Sequence, residues 1–251
     1  MTQKKTKRSD YSEKKFVDDL WQTMKSQEKK NPALGILHEM VDGSIQLVGL
    51  TGGIACGKSL ISQLFLNKQI PVIDADQIAR DIVEPKKKAY ISILKNFGPI
   101  IIKTGKEKGH IDRIALGKIV FENFEKRKVL ESITHPEIRK EISKLIRRYK
   151  KEGHKIIVLD AALLFESGLD HLMSQVVVVS IDPDTQIKRL MARDKISEND
   201  ALKKIQSQMS TREKAQKATF VIDNSGTRQN TQHQFEEIFL QLAGSLHTRL
   251  K

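Results

Sequence analysis

Residues 45–67 read IQLVGLTGGIACGKSLISQLFLN, and their order of apolar run, glycine-rich turn and periodic segment decides the fold class. Ile45 to Leu50 is a short apolar run suited to a buried strand. From Lys58 to Asn67 the apolar residues Leu60, Ile61, Leu64 and Phe65 fall on one face of a helix. Between them, Gly52 to Ser59 fits G-x-x-x-x-G-K-[ST], a phosphate-binding loop in the context the motif requires, after a strand and opening a helix. The amides of Ala55 through Leu60 can converge on phosphate oxygens at the helix N-terminus, where the macrodipole also favours negative charge. Gly52, Gly53, Ala55, Cys56, Gly57, Lys58, Ser59 and Leu60 are therefore expected to hold a nucleoside triphosphate, Lys58 bridging the β and γ phosphates and Ser59 holding Mg²⁺. Cys56 is either a thiol made reactive by the helix terminus or simply a small residue in the loop.

Outward from this stretch, further runs rich in Val and Ile predict strands at Ile70–Ile73, Lys155–Leu159, Gln175–Ile181 and Phe220–Ile222. Five strands alternating with helices predict an α/β fold with a parallel sheet. Pro85 to Gly153 is dominated by helical periodicity and reads as a helical insertion rather than a loop. Residues 1–44 carry 9 basic and 7 acidic residues and no strand pattern, so an α/β body is placed at 45–251 behind an N-terminal extension. Within that extension Phe16, Leu20, Trp21 and Met24 recur at helical spacing, reading either as an amphipathic helix on the body or as part of a flexible tail.

The whole chain has 251 residues, a net charge of +13 and 39% apolar residues, which excludes collagen, coiled coil and full disorder. Its single cysteine excludes an internal disulfide and suggests a reducing compartment. No signal peptide or membrane span is read, so a cytoplasmic location without membrane partners is expected. The charge favours anionic partners, but aromatics are only 5% of the chain and do not interleave with the basic residues, so no nucleic acid is expected.

A phosphate loop specifies a nucleotide, not a reaction. Candidates for the chemistry lie at the carboxyl ends of strands, where α/β sheets place ligands. Asp74 and Asp76 follow the second strand. Either is placed to serve an acceptor hydroxyl, while Asp74 also suits a helix N-cap and Asp76 a first-turn acid. Asp160 ends the third strand and is either the partner of Ser59 at a magnesium ion or a cap of the following turn. Arg189 and Arg193 lie one turn apart after Asp182-Pro183, as phosphate clamps or as a solvated face.

The runs LVGLTGGIACGKS, PVIDADQIARDIVEP, FGPII, HIDRIALGKIVF, VLESITHPEIRKEI, VLDAALLFE, RLMARDKIS, IQSQM and VIDNSG, in this order from Ile45 to Gly226, resemble the dephospho-CoA kinase family. The resemblance implies a P-loop kinase fold with a helical acceptor-binding insertion at about 85–153 and a lid at about 183–212. It implies phosphorylation of the ribose 3′-hydroxyl of dephospho-CoA by ATP and Mg²⁺, by a monomer or weak oligomer. Carried over residue by residue, it makes Asp76 the base, Arg189 and Arg193 the lid cations, and Asn224 a neighbour of the adenine or a turn residue. Asp74, Arg80, His135, Leu163, Leu164, Phe165 and Glu166 are implied to face or order the acceptor. The chain departs from the family pattern at Ala55, Cys56 and Leu60, where glycine, serine and threonine are usual, at Ala162 in place of proline, and at Thr219 in place of aspartate. Ala55 matters most, because a Cβ is costly if that position needs a positive φ.

Overall fold

A computed structural model describes residues 44–105 and 108–249. The expected helix with Phe16, Leu20, Trp21 and Met24 lies outside the described residues. Five strands, β1 (Gln46–Gly52), β2 (Val72–Asp74), β3 (Ile156–Asp160), β4 (Gln175–Ser180) and β5 (Phe220–Asp223), pair in the order β2-β3-β1-β4-β5, and every pairing is parallel. The class expected from the sequence is the one observed. The strand ends differ by one or two residues: β1 runs on to Gly52, and β2 begins at Val72 rather than Ile70.

Side-chain alternation divides the core between the two faces of the sheet. Leu47, Ile157, Leu159, Val176 and Val178 point to one face, against α2 (Ala75–Asp81) and α5 (Phe124–Lys151). Val48, Leu50, Val158, Val177 and Val179 point to the other, against Ile61, Leu64 and Phe65 of α1 (Lys58–Asn67) and Phe235, Ile238 and Leu242 of α9 (Arg228–Arg249). Phe65 and Phe235 meet edge to face at 4.9 Å, an arrangement that adds about 0.5–1.5 kcal/mol to simple burial.

Residues between β2 and β3 form α3 (Lys88–Phe97), a 3₁₀ turn (Pro99–Ile101), α4 (Arg113–Glu122) and the long α5. Ile93, Phe97, Ile101, Ile111 and Leu116 give this part a small core of its own. After β4 come α6 (Pro183–Asp194), α7 (Glu198–Gln206) and α8 (Thr211–Lys217). Each start is specified locally. Asp182 accepts from Thr185 N–H, Ser197 from Asp200 N–H, and Ser210 with Glu213 forms a capping box. Thr219, where the family pattern has aspartate, keeps a polar role: its Oγ1 accepts from Val176 N–H at 3.0 Å and ties the start of β5 to β4.

Candidate active site

The strand-loop-helix at Gly52–Ser59 wraps tightly, and its glycines carry the geometry. Gly57 is the N-cap of α1 at φ 87°, a left-handed conformation that glycine adopts without cost. A Cβ there would also strike Asn224 Nδ2. Ala55 sits at φ 61°, so the position that the family fills with glycine does require the left-handed region. The methyl group there costs about 1–2 kcal/mol. Within the loop Cys56 N–H already donates to Gly53 O at 3.2 Å, and Leu60 N–H to Gly57 O at 3.0 Å. Within the expected cradle from Ala55 to Leu60, the Cys56 and Leu60 amides are thus engaged inside the loop. The amides of Gly57, Lys58 and Ser59 remain at the helix start, where N–H groups have no intrahelical acceptor.

Cys56 is a packing residue in this fold. Its thiol is buried, 3.8 Å from both Thr211 Oγ1 and Gln186 Nε2, and burial pushes its pKa up, away from the thiolate.

Lys58 projects from the first turn of α1 onto Asp160 Oδ1 at the end of β3, and its Nζ lies 3.9 Å from Asp76 Oδ2. Asp160 is buried, and its second oxygen accepts from Ser62 Oγ. Burial raises the Asp160 pKa, and Lys58 and Ser62 pull it back. Ser59 is exposed on the same turn of α1. Its hydroxyl and the Asp160 carboxylate are hard oxygen donors. No group of three or more His, Cys, Asp or Glu side chains able to hold a metal exists among the described residues. That donor set fits magnesium arriving with ATP, which typically takes one or two protein oxygens plus phosphates and water.

The two carboxylates after β2 separate in role. Asp74 is the N-cap of α2, its Oδ1 accepting from Gln77 N–H at 2.8 Å. Asp76 is partly exposed beside Lys58 and accepts from Ala162 N–H at 3.4 Å. Ala162 stands where the family pattern has proline, and the N–H that proline lacks is the one used here.

Of the Leu163–Glu166 stretch, only Leu163 is exposed; Leu164 and Phe165 lie in the core, packed beneath the sheet. The turn after β3 drives both apolar side chains inward, leaving Leu163 as the member of the stretch that faces outward. Glu166 accepts from Met209 N–H at 2.9 Å and pairs with Lys214 Nζ at 3.0 Å, so it binds the segment after α7 instead of projecting into the cleft. Arg80 is exposed on α2, with its carbonyl oxygen accepting from Arg113. His135 lies half-buried on α5, where burial lowers its pKa, Glu131 opposes the shift and Arg139 and Arg127 reinforce it.

Asn224 is buried and hydrogen-bonded through both ends of its side-chain amide. Its Nδ2 donates to Cys56 O at 2.8 Å and its Oδ1 accepts from Thr231 Oγ1 at 2.8 Å. The side chain therefore clamps the phosphate loop to α9. Arg189 Nη2 donates to the Asn224 carbonyl at 3.3 Å, which brings α6 to the loop. Arg193 is not brought there: it pairs with Asp194 at 2.8 Å, and Lys204 of α7 holds the other oxygen of Asp194 at 2.7 Å.

Three participants were not singled out from the sequence. Ser62, Gln186 and Lys214 touch Asp160, the loop carbonyl of Ile54, and Glu166 respectively. Spacing four residues beyond Lys58 could have pointed to Ser62, on the same face of α1. Nothing local marks the other two.

The CoaE dephospho-CoA kinase family model matches residues 46–230. The chain belongs to the dephospho-CoA kinase family. A dephospho-CoA kinase of Bacillus cereus is 48% identical over 192 residues, covering 76% of this chain and 94% of that one. Among solved structures, the fold is similar to the dephospho-CoA kinase from Campylobacter jejuni, at TM-score 0.59 and 32% identity over 79% of this chain and 98% of the other. It is also similar to TT1252 from Thermus thermophilus, at TM-score 0.68 and 27% identity over the same shares. As a member of this kinase family the chain is a phosphotransferase that uses ATP, and the family places its reaction last in coenzyme A biosynthesis. No described helix is long and apolar enough to cross a membrane.

Proposed function

We propose that the cleft between the phosphate loop and Asp76 transfers the γ-phosphoryl group of ATP to the ribose 3′-hydroxyl of dephospho-CoA, giving coenzyme A and ADP. The observation that carries this reading is the placement of Lys58, paired with Asp160 and 3.9 Å from Asp76. One cation thereby adjoins both the helix-start amides that receive phosphate and a carboxylate able to take a hydroxyl proton.

Triphosphate binds the amides of Gly57, Lys58 and Ser59, with Gly52, Gly53, Ala55, Cys56 and Leu60 shaping the loop. Lys58 leaves Asp160 for the β and γ oxygens. Ser59, with Asp160 behind it, would hold magnesium, which when bound would neutralise phosphate charge. Asp76 orients the acceptor hydroxyl and accepts its proton as the new P–O bond forms. Arg189, adjacent to the loop through Asn224, meets charge developing on the transferred group, and Arg193 joins once released from Asp194. The acceptor lies along Asp74, Arg80, Leu163 and His135, between the body and an insertion at 85–153. A lid at 183–212 excludes water, so that ATP is not lost to hydrolysis. The enzyme acts in the cytoplasm as a monomer or weak oligomer on small molecules, without nucleic acid, and residues 1–44 form an extension outside the kinase body.

ADP release measured with dephospho-CoA, against a panel of nucleosides and nucleoside monophosphates, tests the assignment. Dephospho-CoA is expected to be preferred. Higher kcat/KM for any nucleoside or monophosphate would replace it with a nucleotide-kinase reading.

A further inference from the structure

Lys214 is fully buried, with no exposed side-chain surface, in a helix whose sequence TREKAQK reads as solvated. Burying an ammonium group is costly unless it is well paired, so a core position would not ordinarily hold one. Here Nζ donates to Ala162 O at 2.5 Å and pairs with Glu166 Oε1 at 3.0 Å. Burial lowers the Lys214 pKa and Glu166 opposes the shift. Glu166 Oε2 is buried without a hydrogen-bond partner, so the pair carries a further desolvation cost that packing alone does not explain.

What the cation holds is the turn beside Asp76. The carbonyl of Ala162 accepts from Lys214 and, at 3.2 Å, from Thr51 Oγ1 in β1, while the N–H of the same residue donates to Asp76 Oδ2 at 3.4 Å. One helical turn before Lys214, Thr211 lies 3.8 Å from Cys56 Sγ, and a Cβ on Gly53 would meet its Oγ1 at 2.5 Å. The single helix α8 therefore touches the phosphate loop with Thr211 and the turn behind Asp76 with Lys214.

We propose that Lys214 is a positioning residue for phosphoryl transfer: by holding the Ala162 carbonyl from α8, it sets the distance between the phosphate loop and Asp76. The proposal rests on the reading of Asp76 as the base. Glu166 serves it by fixing the ammonium group and, through Met209 N–H, the chain entering α8.

The test is a mutant cycle on the full chain with steady-state kinetics for both substrates. K214M leaves Glu166 buried and unpaired, so K214M/E166Q and the milder E166Q accompany it, with thermal midpoints measured for all. Loss of position is expected to lower kcat about 10–100-fold in K214M/E166Q and less in E166Q, while KM for ATP and for dephospho-CoA changes less than about threefold. In a D76N background the same changes are expected to have little further effect, because the group being positioned no longer acts. Wild-type kcat in both E166Q and K214M/E166Q overturns the proposal. So does a loss that multiplies unchanged onto D76N, which leaves the Asp76 reading intact. Wild-type kcat in D76N alone overturns the reading of Asp76 and the positioning role with it.

Discussion

Lys58 and Asp160 form a charge pair across the top of the sheet, the ammonium from the first turn of α1 meeting the carboxylate that ends β3. Both are largely buried, and Asp76 stands on the outer side of the same ammonium. The pair keeps the cation aimed into the cleft before substrate arrives, and gives it a second partner to exchange for phosphate.

Removing one member of this pair is expected to separate stability from turnover. K58M strands a buried carboxylate and should cost about 3 kcal/mol in urea unfolding. Turnover should fall at least about 100-fold. In K58M/D160N most of the stability returns and the activity does not. Recovery of turnover in the double variant would mean that Lys58 serves the fold alone.

The loop stores a small strain at Ala55. A55G is expected to raise stability by about 0.5–1 kcal/mol, since relief of the left-handed alanine exceeds the added flexibility of the unfolded chain. G57A, at φ 87° and against Asn224, should lose more than about 2 kcal/mol and weaken ATP binding. Equilibrium unfolding and nucleotide titration check both.

Arg189 and Arg193 differ in what already holds them. Arg189 is at the loop through Asn224, and Arg193 must first leave Asp194, whose pKa is lowered to about 2 by hydrogen bonds from Arg193 and Lys204. R189A is expected to lower kcat about 100-fold, and R193A by less. The reverse order in steady-state kinetics would place the developing charge nearer the far end of α6.

His135 gives the pH dependence a direction. Burial lowers its pKa below the usual 6.5, so the unfolded chain takes up the proton first as pH falls. Its contribution to stability is complete above that value and is lost as pH drops from the unfolded pKa toward the folded one. Thermal midpoints taken from about pH 7.5 down to about 5.5 should fall more steeply for wild type than for H135Q. Parallel curves would show that the imidazole stays solvated.

The parts of the site that follow from short-range rules were legible in the sequence. Continuous runs rich in Val and Ile located five strands, the spacing of Gly52, Gly57 and Lys58 located the loop, and Asp before a helical segment located the Asp74 cap. The inward turn of Leu164 and Phe165 was hidden, because both positions look the same in sequence whether the turn faces the cleft or the core. Asn224 read as a neighbour of the adenine or a turn residue, and its clamping role was not legible, because its partners Cys56 and Thr231 meet only once α9 packs on the sheet. Lys214 was invisible for the same reason: a lysine among charged neighbours reads as solvated until Glu166 and Ala162 arrive from another part of the chain.

The position of the acceptor ribose is the most direct test of Asp76 as the base. A crystal structure with a non-hydrolysable ATP analogue and dephospho-CoA should place the 3′-hydroxyl about 2.6–3.2 Å from the Asp76 carboxylate, facing a γ-phosphate held by Lys58. A triphosphate lying off the loop, or a ribose hydroxyl beyond reach of Asp76, would contradict it.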